Sequence, residues 1–183
     1  MIFNEHRSLE GAHAFLSPSN YHWINYSDEA LIERYQLRRA AQKGSELHAF
    51  AAQAIRLGVK LPRNQKTINS YVNDAIGYKM TPEQPLVYSV NCFGTADAIS
   101  FRKGLLRIHD LKTGRLKASM NQLKVYEALF CLEYKMEPRK IESELRIYQS
   151  DEIVSETPDP EEIEELINKI VHFNNIVEHL KEE

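Results

Sequence analysis

The chain has 183 residues, 43% hydrophobic and 27% charged, with a formal net charge of −3. That is the composition of an ordinary soluble globular protein and enough chain for one domain, residues 1–183, with a real core. No apolar run approaches a membrane span, and the start, MIFNEHRSLEG, lacks the basic-then-apolar pattern of a secretion signal, so a cytoplasmic protein without a membrane partner is expected.

The charge is unevenly placed. Residues 151–183 hold eleven acids and two bases, a balance of −9, and the remaining 150 residues carry +6. A basic body with an acidic tail suits phosphate contact by the body. Neither cysteine, Cys92 or Cys131, sits in a C-x-x-C, and both read as small buried apolar groups rather than a disulfide. Two cysteines exclude a four-cysteine iron–sulfur cluster. No G-x-x-x-x-G-K-[ST] loop occurs, which argues against a nucleotide-binding protein of that kind.

In chain order, Ser17-Pro18-Ser19 starts a short helix, with Ser17 or Ser19 as the cap and Pro18 in its first turn. Trp23, the sole tryptophan, reads as a core anchor for this end; a stacking platform for DNA is the alternative. A helical pattern follows from about Ser27 to Leu57, interrupted near Gly44, with Asp28 and Glu29 at the positive end of its dipole. Arg34, Arg38 and Arg39 cluster on one side as a solvated face that could also steer phosphate. His48 lies among small apolar residues and reads from its setting as a hydrogen-bonded boundary residue. Residues 58–85 are irregular and punctuated by Gly58, Pro62, Pro82 and Pro85, with one helix over Thr67 to Tyr78. Leu86 to Phe93 reads as a strand leading into Gly94.

Residues 94–101 and 105–112 are rich in β-formers and separated by Arg102-Lys103-Gly104, a hairpin signal. A two-residue turn at Lys103-Gly104 pairs Arg102 with Leu105 and, counting back, Asp97 with Asp110. One face then carries Asp97, Ile99 and Phe101 opposite Asp110, Ile108 and Leu106. A one-residue slip would mix apolar and polar sets, so the pattern opposes it. Lys112 shares the face of Asp110. Two aspartates at the end of an apolar face repel and desolvate each other, and a divalent cation such as Mg²⁺ or Mn²⁺ removes that conflict. The plain alternative is an open hairpin end with all three groups solvated.

Downstream, Asn121 to Glu133 is a helix in which Gln122 and Tyr126 are neighbours four apart. Ile141 to Ser150 alternates as a half-buried strand, and Asp151 to Thr157 adds a short edge strand. Asp159 and Pro160 open a last acidic, amphipathic helix within residues 160–181, whose stripe of Ile163, Leu166, Ile167, Ile170, Val171, Val177 and Leu180 is expected to dock on the domain. With the N-terminal helices over residues 17–57, the order of elements predicts an α/β fold, a central mixed β-sheet flanked by helices.

The series Gly94-Thr95-Ala96-Asp97, then Asp110-Leu111-Lys112 after a short hairpin, then Gln122-Leu123-Lys124-Val125-Tyr126 on a helix resembles the RecB-like branch of the PD-(D/E)xK nuclease superfamily. Its relatives include phage lambda-type exonucleases and CRISPR adaptation nucleases. D-x-K alone is a weak signature; the whole series, in order and at this spacing, is specific. The Leu-Ser-x-Ser…Trp stretch around Ser17 and Trp23 is similar to the opening of small phage and prophage members.

The resemblance implies a restriction-endonuclease-like core and metal-dependent hydrolysis of DNA phosphodiesters, in an exonuclease that processes ends for phage-type recombination or repair. It implies catalytic roles for Asp97, Asp110, Lys112, Gln122 and Tyr126, and one or two Mg²⁺ or Mn²⁺ ions on His48, Asp97, Asp110 and the Leu111 carbonyl. Glu46 competes with His48 as the ligand from the helix. Arg115 and Lys117, with Gln122 and Tyr126, are the expected phosphate contacts. The implied partners are DNA, a single-strand annealing protein and further copies of the chain in a ring, in the host cytoplasm if the gene is a phage's. A structure-specific or nicking endonuclease would use the same residues. A non-catalytic DNA-binding or assembly protein on a nuclease fold would have lost one of them.

Overall fold

The computed structural model describes residue 7, residues 14–114 and residues 117–181. The chain divides into two compact units, one ending at Lys43 and a larger one from Gly44 onwards.

The first unit holds a 3-10 segment, Pro18–Asn25, and the start of a long helix α1 (Asp28–Leu57). Ser17 stands at the N-cap with extended backbone but makes no capping bond; its hydroxyl meets that of Ser19 at 2.8 Å. Ser27 does cap α1, accepting from the Ala30 amide at 3.2 Å. Trp23 is half-buried and belongs to neither buried core cluster; its indole N–H donates to the Ser17 carbonyl at 3.0 Å, so it pins its own turn.

The larger unit is an α/β structure built on a five-stranded mixed sheet in the order β1 (Thr81–Ser89), β2 (Cys92–Arg102), β3 (Leu105–Lys112), β4 (Glu142–Gln149), β5 (Glu152–Glu156). The pairs are antiparallel except β3 with β4, which run parallel and are joined through α3 (Asn121–Tyr134). The β2–β3 register is the one expected, with Ile99 opposite Ile108, Phe101 opposite Leu106 and Arg102 opposite Leu105. Lys103 and Gly104 take the positive φ values, 53° and 81°, that a two-residue turn requires.

Each sheet face has its own buried cluster. On one side Ile99, Leu106, Ile108, Leu145 and Ile147 pack with Leu123 and Leu129 of α3. On the other, Ala98, Leu111 and Tyr148 pack with Ala51, Ala54 and Ile55 of α1 and with Tyr71, Val72 and Ala75 of α2 (Thr67–Gly77). Cys92 and Cys131 are free thiols, and burial pushes Cys131 up to about 12.

Three expectations need correction. Helix α1 runs through Gly44 without a break. Gly44 is buried there because an added Cβ would lie 2.8 Å from Thr113 Oγ1, so the glycine serves close packing rather than termination. Leu86 to Phe93 is not one strand, because the chain reverses after Ser89 and β2 starts at Cys92. The stripe of the last helix, α4 (Pro160–Leu180), docks only in its first half: Ile163 is buried and Ile167 and Ile170 pack on the α3 side, whereas Val177 and Leu180 are exposed. Asp159 caps α4 through the Glu161 amide at 2.9 Å.

The acidic tail is not a free counter-charge. Lys124 is held by Glu156 at 2.6 Å and Glu162 at 2.8 Å, and Arg139 by Glu161 and Glu164. Two bases of the body are thereby neutralised by the tail, which weakens the charge asymmetry seen in sequence. Among the described residues no helix is long and apolar enough to cross a membrane.

Candidate active site and metal centre

The β2–β3 ladder ends at the pair Ala98–His109, one step short of the expected Asp97–Asp110 pair. Beyond that step a side chain takes over from the backbone. The Leu111 amide donates to Asp97 Oδ2 at 2.9 Å, which fixes this carboxylate at the open end of the hairpin. Helix α1 brings His48 to the same atom, with Nδ1 3.4 Å from Asp97 Oδ2. The geometry follows from periodicity, since the buried Ala51, Ala52 and Ile55 lie three, four and seven residues beyond His48 and hold that face against the sheet.

A residue that the sequence did not single out completes the cluster. Glu83 lies in β1 between the pairs Pro82–Ala98 and Gln84–Ala96, so it faces Asp97 across the strands. His48, Glu83 and Asp97 each offer a ligand atom within 4.8 Å of the others. Glu83 has φ 51°, an unfavourable left-handed conformation for a glutamate, and carboxylates directly opposite each other in a sheet are destabilising. The one sequence hint was a carboxylate held between Pro82 and Pro85 just before a strand.

Electrostatics tie the group together. Burial and the charge of Asp97 push Asp110 up from the usual carboxylate range, with Lys112 opposing. Burial and Asp97 likewise raise Glu83. The hydrogen bond to Asp97 raises His48 against the effect of its burial. Burial, with Asp97, Glu83 and Asp110 close by, pushes the Tyr71 phenol far up, so it stays protonated. Asp110 is 3% exposed. Lys112 Nζ donates to its Oδ1 at 3.1 Å and stands 3.0 Å from Oδ2, yet no donor among the described residues reaches Oδ2 in hydrogen-bond geometry.

A second line of contacts leads away from Lys112. Its ammonium donates to Gln122 Oε1 at 2.8 Å, Gln122 Nε2 lies 3.4 Å from the Tyr126 hydroxyl, and that hydroxyl donates to the Thr95 carbonyl at 2.7 Å. Gly94 makes room for the ring, since a Cβ there would fall 2.9 Å from Tyr126 Cε1. The structure therefore brings Asp97, Asp110, Leu111, Lys112, Gln122, Tyr126 and His48 to one end of the sheet. It leaves Glu46 exposed and outside the His48–Glu83–Asp97 cluster. Arg115 lies outside the described residues. Lys117 is exposed and lines a cleft of about 590 Å³ with Asn121, Gln149 and the acids Glu152 and Glu156, so that cleft is mixed in charge rather than basic.

One imidazole nitrogen and two carboxylates form a donor set suited to a hard or borderline divalent cation, and the nearby Asp110, with a buried carboxylate oxygen that lacks a donor, is the kind of group such an ion would satisfy. The residues fit Mg²⁺ or Mn²⁺. No family model matches the chain, and neither a curated protein nor a solved structure matches it.

Proposed function

We propose that this chain is a divalent-metal-dependent deoxyribonuclease with a restriction-endonuclease-like core, acting as an exonuclease on DNA ends in phage-type recombination or repair. One observation carries the reading. Three side chains from three different elements, His48 of α1, Glu83 of β1 and Asp97 of β2, offer ligand atoms within 4.8 Å of one another, and the charge of Asp97 reaches Asp110 of β3, which pairs with a lysine that also donates to Gln122. Carboxylates that repel one another in the bare protein have a physical reason to be together only if something positive joins them.

Asp97, Asp110, His48 and Glu83, with the Leu111 carbonyl, would hold one or two ions. A bound divalent ion would lower the pKa of the attacking water and offset charge on the scissile phosphate. Lys112 supplies a second positive charge where negative charge develops, and its ammonium also orients the attacking water. Gln122 keeps Lys112 pointed at Asp110, and Tyr126 ties α3 to the strand that carries Asp97. Lys117 and Arg115 would contact the DNA backbone.

The test is digestion of a linear duplex labelled at one 5′ or one 3′ end, beside a closed circle, with Mn²⁺, Mg²⁺ or EDTA. Metal-dependent loss of the linear DNA alone supports the exonuclease, and label release gives its polarity. Cutting of the circle replaces it with an endonuclease. Binding without cleavage in any metal sinks the enzymatic reading.

A further inference from the structure

The last helix stays apolar beyond the point where it meets the domain. In its second half Phe173, Ile176, Val177 and Leu180 recur at i, i+3, i+4 and i+7, which puts them on one face. All four are between 39% and 63% exposed. The helix is not free to turn that face inwards. Asn174 accepts from the Ser89 hydroxyl at 2.6 Å and from the Asn91 side-chain amide at 3.3 Å, and Glu178, one helical turn further on, accepts from the same Asn91 amide. Asn174 and Glu178 lie roughly a third of a turn round the helix from the apolar face, so a polar clasp on the β1–β2 turn holds that face outwards. The face also lacks negative charge. Residues 151–183 carry eleven acids, yet none falls between Leu166 and Val177.

We propose that this face docks on the same face of a second copy of the chain, as an antiparallel, two-fold helix pair with Ile176 and Val177 at its centre. Such a pair sets Ile176 of each copy against Val177 of the other, and Phe173 of each against Leu180 of the other, so the stripe is complementary to itself. Charge singles out a copy of this chain among possible occupants. A basic partner would be matched by acids, and the stripe has none. A second acidic tail can approach closely only where acids are missing, and the stretch from Leu166 to Val177 is that window. The four side chains present on the order of 400 Å² a copy, half of the roughly 800 Å² that each side of a standard interface buries. The pair is therefore a dimer in exchange with monomer, not a permanent one. A two-fold contact closes at two copies and builds no ring. The proposal concerns α4 alone and stands whether or not the chain cleaves DNA.

Sedimentation of the full chain over a concentration series reads the association. The expected result is a monomer that passes to a dimer, and to nothing larger, as concentration rises. Ile176→Glu puts a charge at the centre of the pair and should weaken dimerisation by about tenfold or more. Asn175→Glu adds the same charge on the far side of the helix and should dimerise as the parent does. Both positions are exposed, so thermal melts of the two variants should match the parent. Oxidation of mixed variants in a Cys92→Ser background tests the direction of pairing, since the remaining Cys131 is buried. Phe173→Cys should cross-link to Leu180→Cys, and neither to itself. A monomer at every concentration, a ring or other larger assembly, a dimer that Ile176→Glu leaves equally tight, or cross-links between like positions overturns the proposal. These measurements use neither DNA nor metal, so their failure and a failure of the cleavage assay are read separately.

Discussion

The carboxylate of Asp97 occupies the place where a backbone carbonyl would continue the β2–β3 ladder, accepting the Leu111 amide at 2.9 Å. The same oxygen faces His48. One side chain therefore serves the fold and the proposed chemistry, and a substitution can separate the two. Asp97→Asn keeps an oxygen for the Leu111 amide and removes the charge; it should melt at or above the parent temperature and lose Mn²⁺ binding and cleavage. Asp97→Ala leaves the amide unsatisfied and should lose roughly 1–3 kcal/mol of stability as well. Thermal melts and Mn²⁺ titration on the two variants check this, and retained Mn²⁺ affinity in Asp97→Asn would remove Asp97 from the ligand set.

Asp110→Ala and Lys112→Ala are expected to abolish cleavage with the fold intact. Lys112→Ala leaves Asp110 without the group that offsets its raised proton affinity. Far-ultraviolet circular dichroism beside the digestion assay distinguishes lost chemistry from lost structure.

Protons and the proposed cation would compete for the same atoms. Asp110, Glu83 and His48 all bind a proton more readily than the free side chains do. The cation needs them deprotonated, so affinity must fall on acidification, and the fall must begin above the ordinary carboxylate range. Calorimetric Mn²⁺ titrations at stepped pH should show it, with a smaller proton release in Glu83→Gln. A pH-independent affinity would contradict the ligand assignment.

Stability has its own pH dependence, centred on Glu127. This carboxyl is 2% exposed, accepts from Ser143 and is pushed up to about 7 by burial, from an ordinary 4.5. A carboxyl with a raised folded pKa favours the folded state when protonated. Its contribution is fully present below the unfolded pKa, is lost progressively as pH rises from about 4.5 to about 7, and is flat above that. Glu127→Gln should cancel this slope and be more stable than the parent at pH 8 by about 2–3 kcal/mol, read from thermal melts.

Gly94→Ala tests the contact of Tyr126 with its strand. The added methyl carbon falls 2.9 Å from Tyr126 Cε1 and must displace the ring from the Thr95 carbonyl. A loss of about 1–3 kcal/mol is expected, with reduced cleavage, and Tyr126→Ala in the same background should make the glycine's replacement nearly neutral.

The hairpin was legible because strict alternation over Ile99, Phe101, Leu106 and Ile108 leaves one register that keeps the apolar set on one face. The strand, helix and edge-strand order after Lys112 was legible for the same kind of reason, periodicity in runs of adequate length. What escaped the sequence is non-local. Gly44 looks like a helix breaker until Thr113, nearly seventy residues away, is seen beside it. Glu83 carries no motif, because what brings it opposite Asp97 is the β1–β2 pairing and a left-handed backbone turn inside a strand. The tail's acids read as free charge because their partners, Lys124 and Arg139, lie on other elements.

The left-handed backbone of Glu83 has an evolutionary consequence. At φ 51° a glycine would be relaxed and would also remove one of two opposed negative charges, so Glu83→Gly is a change that selection for robustness alone would favour. A chain drifting under no demand for activity should lose this glutamate early and gain melting temperature by doing so. Glu83→Gly should therefore exchange the carboxylate beside Asp97 for a higher melting temperature.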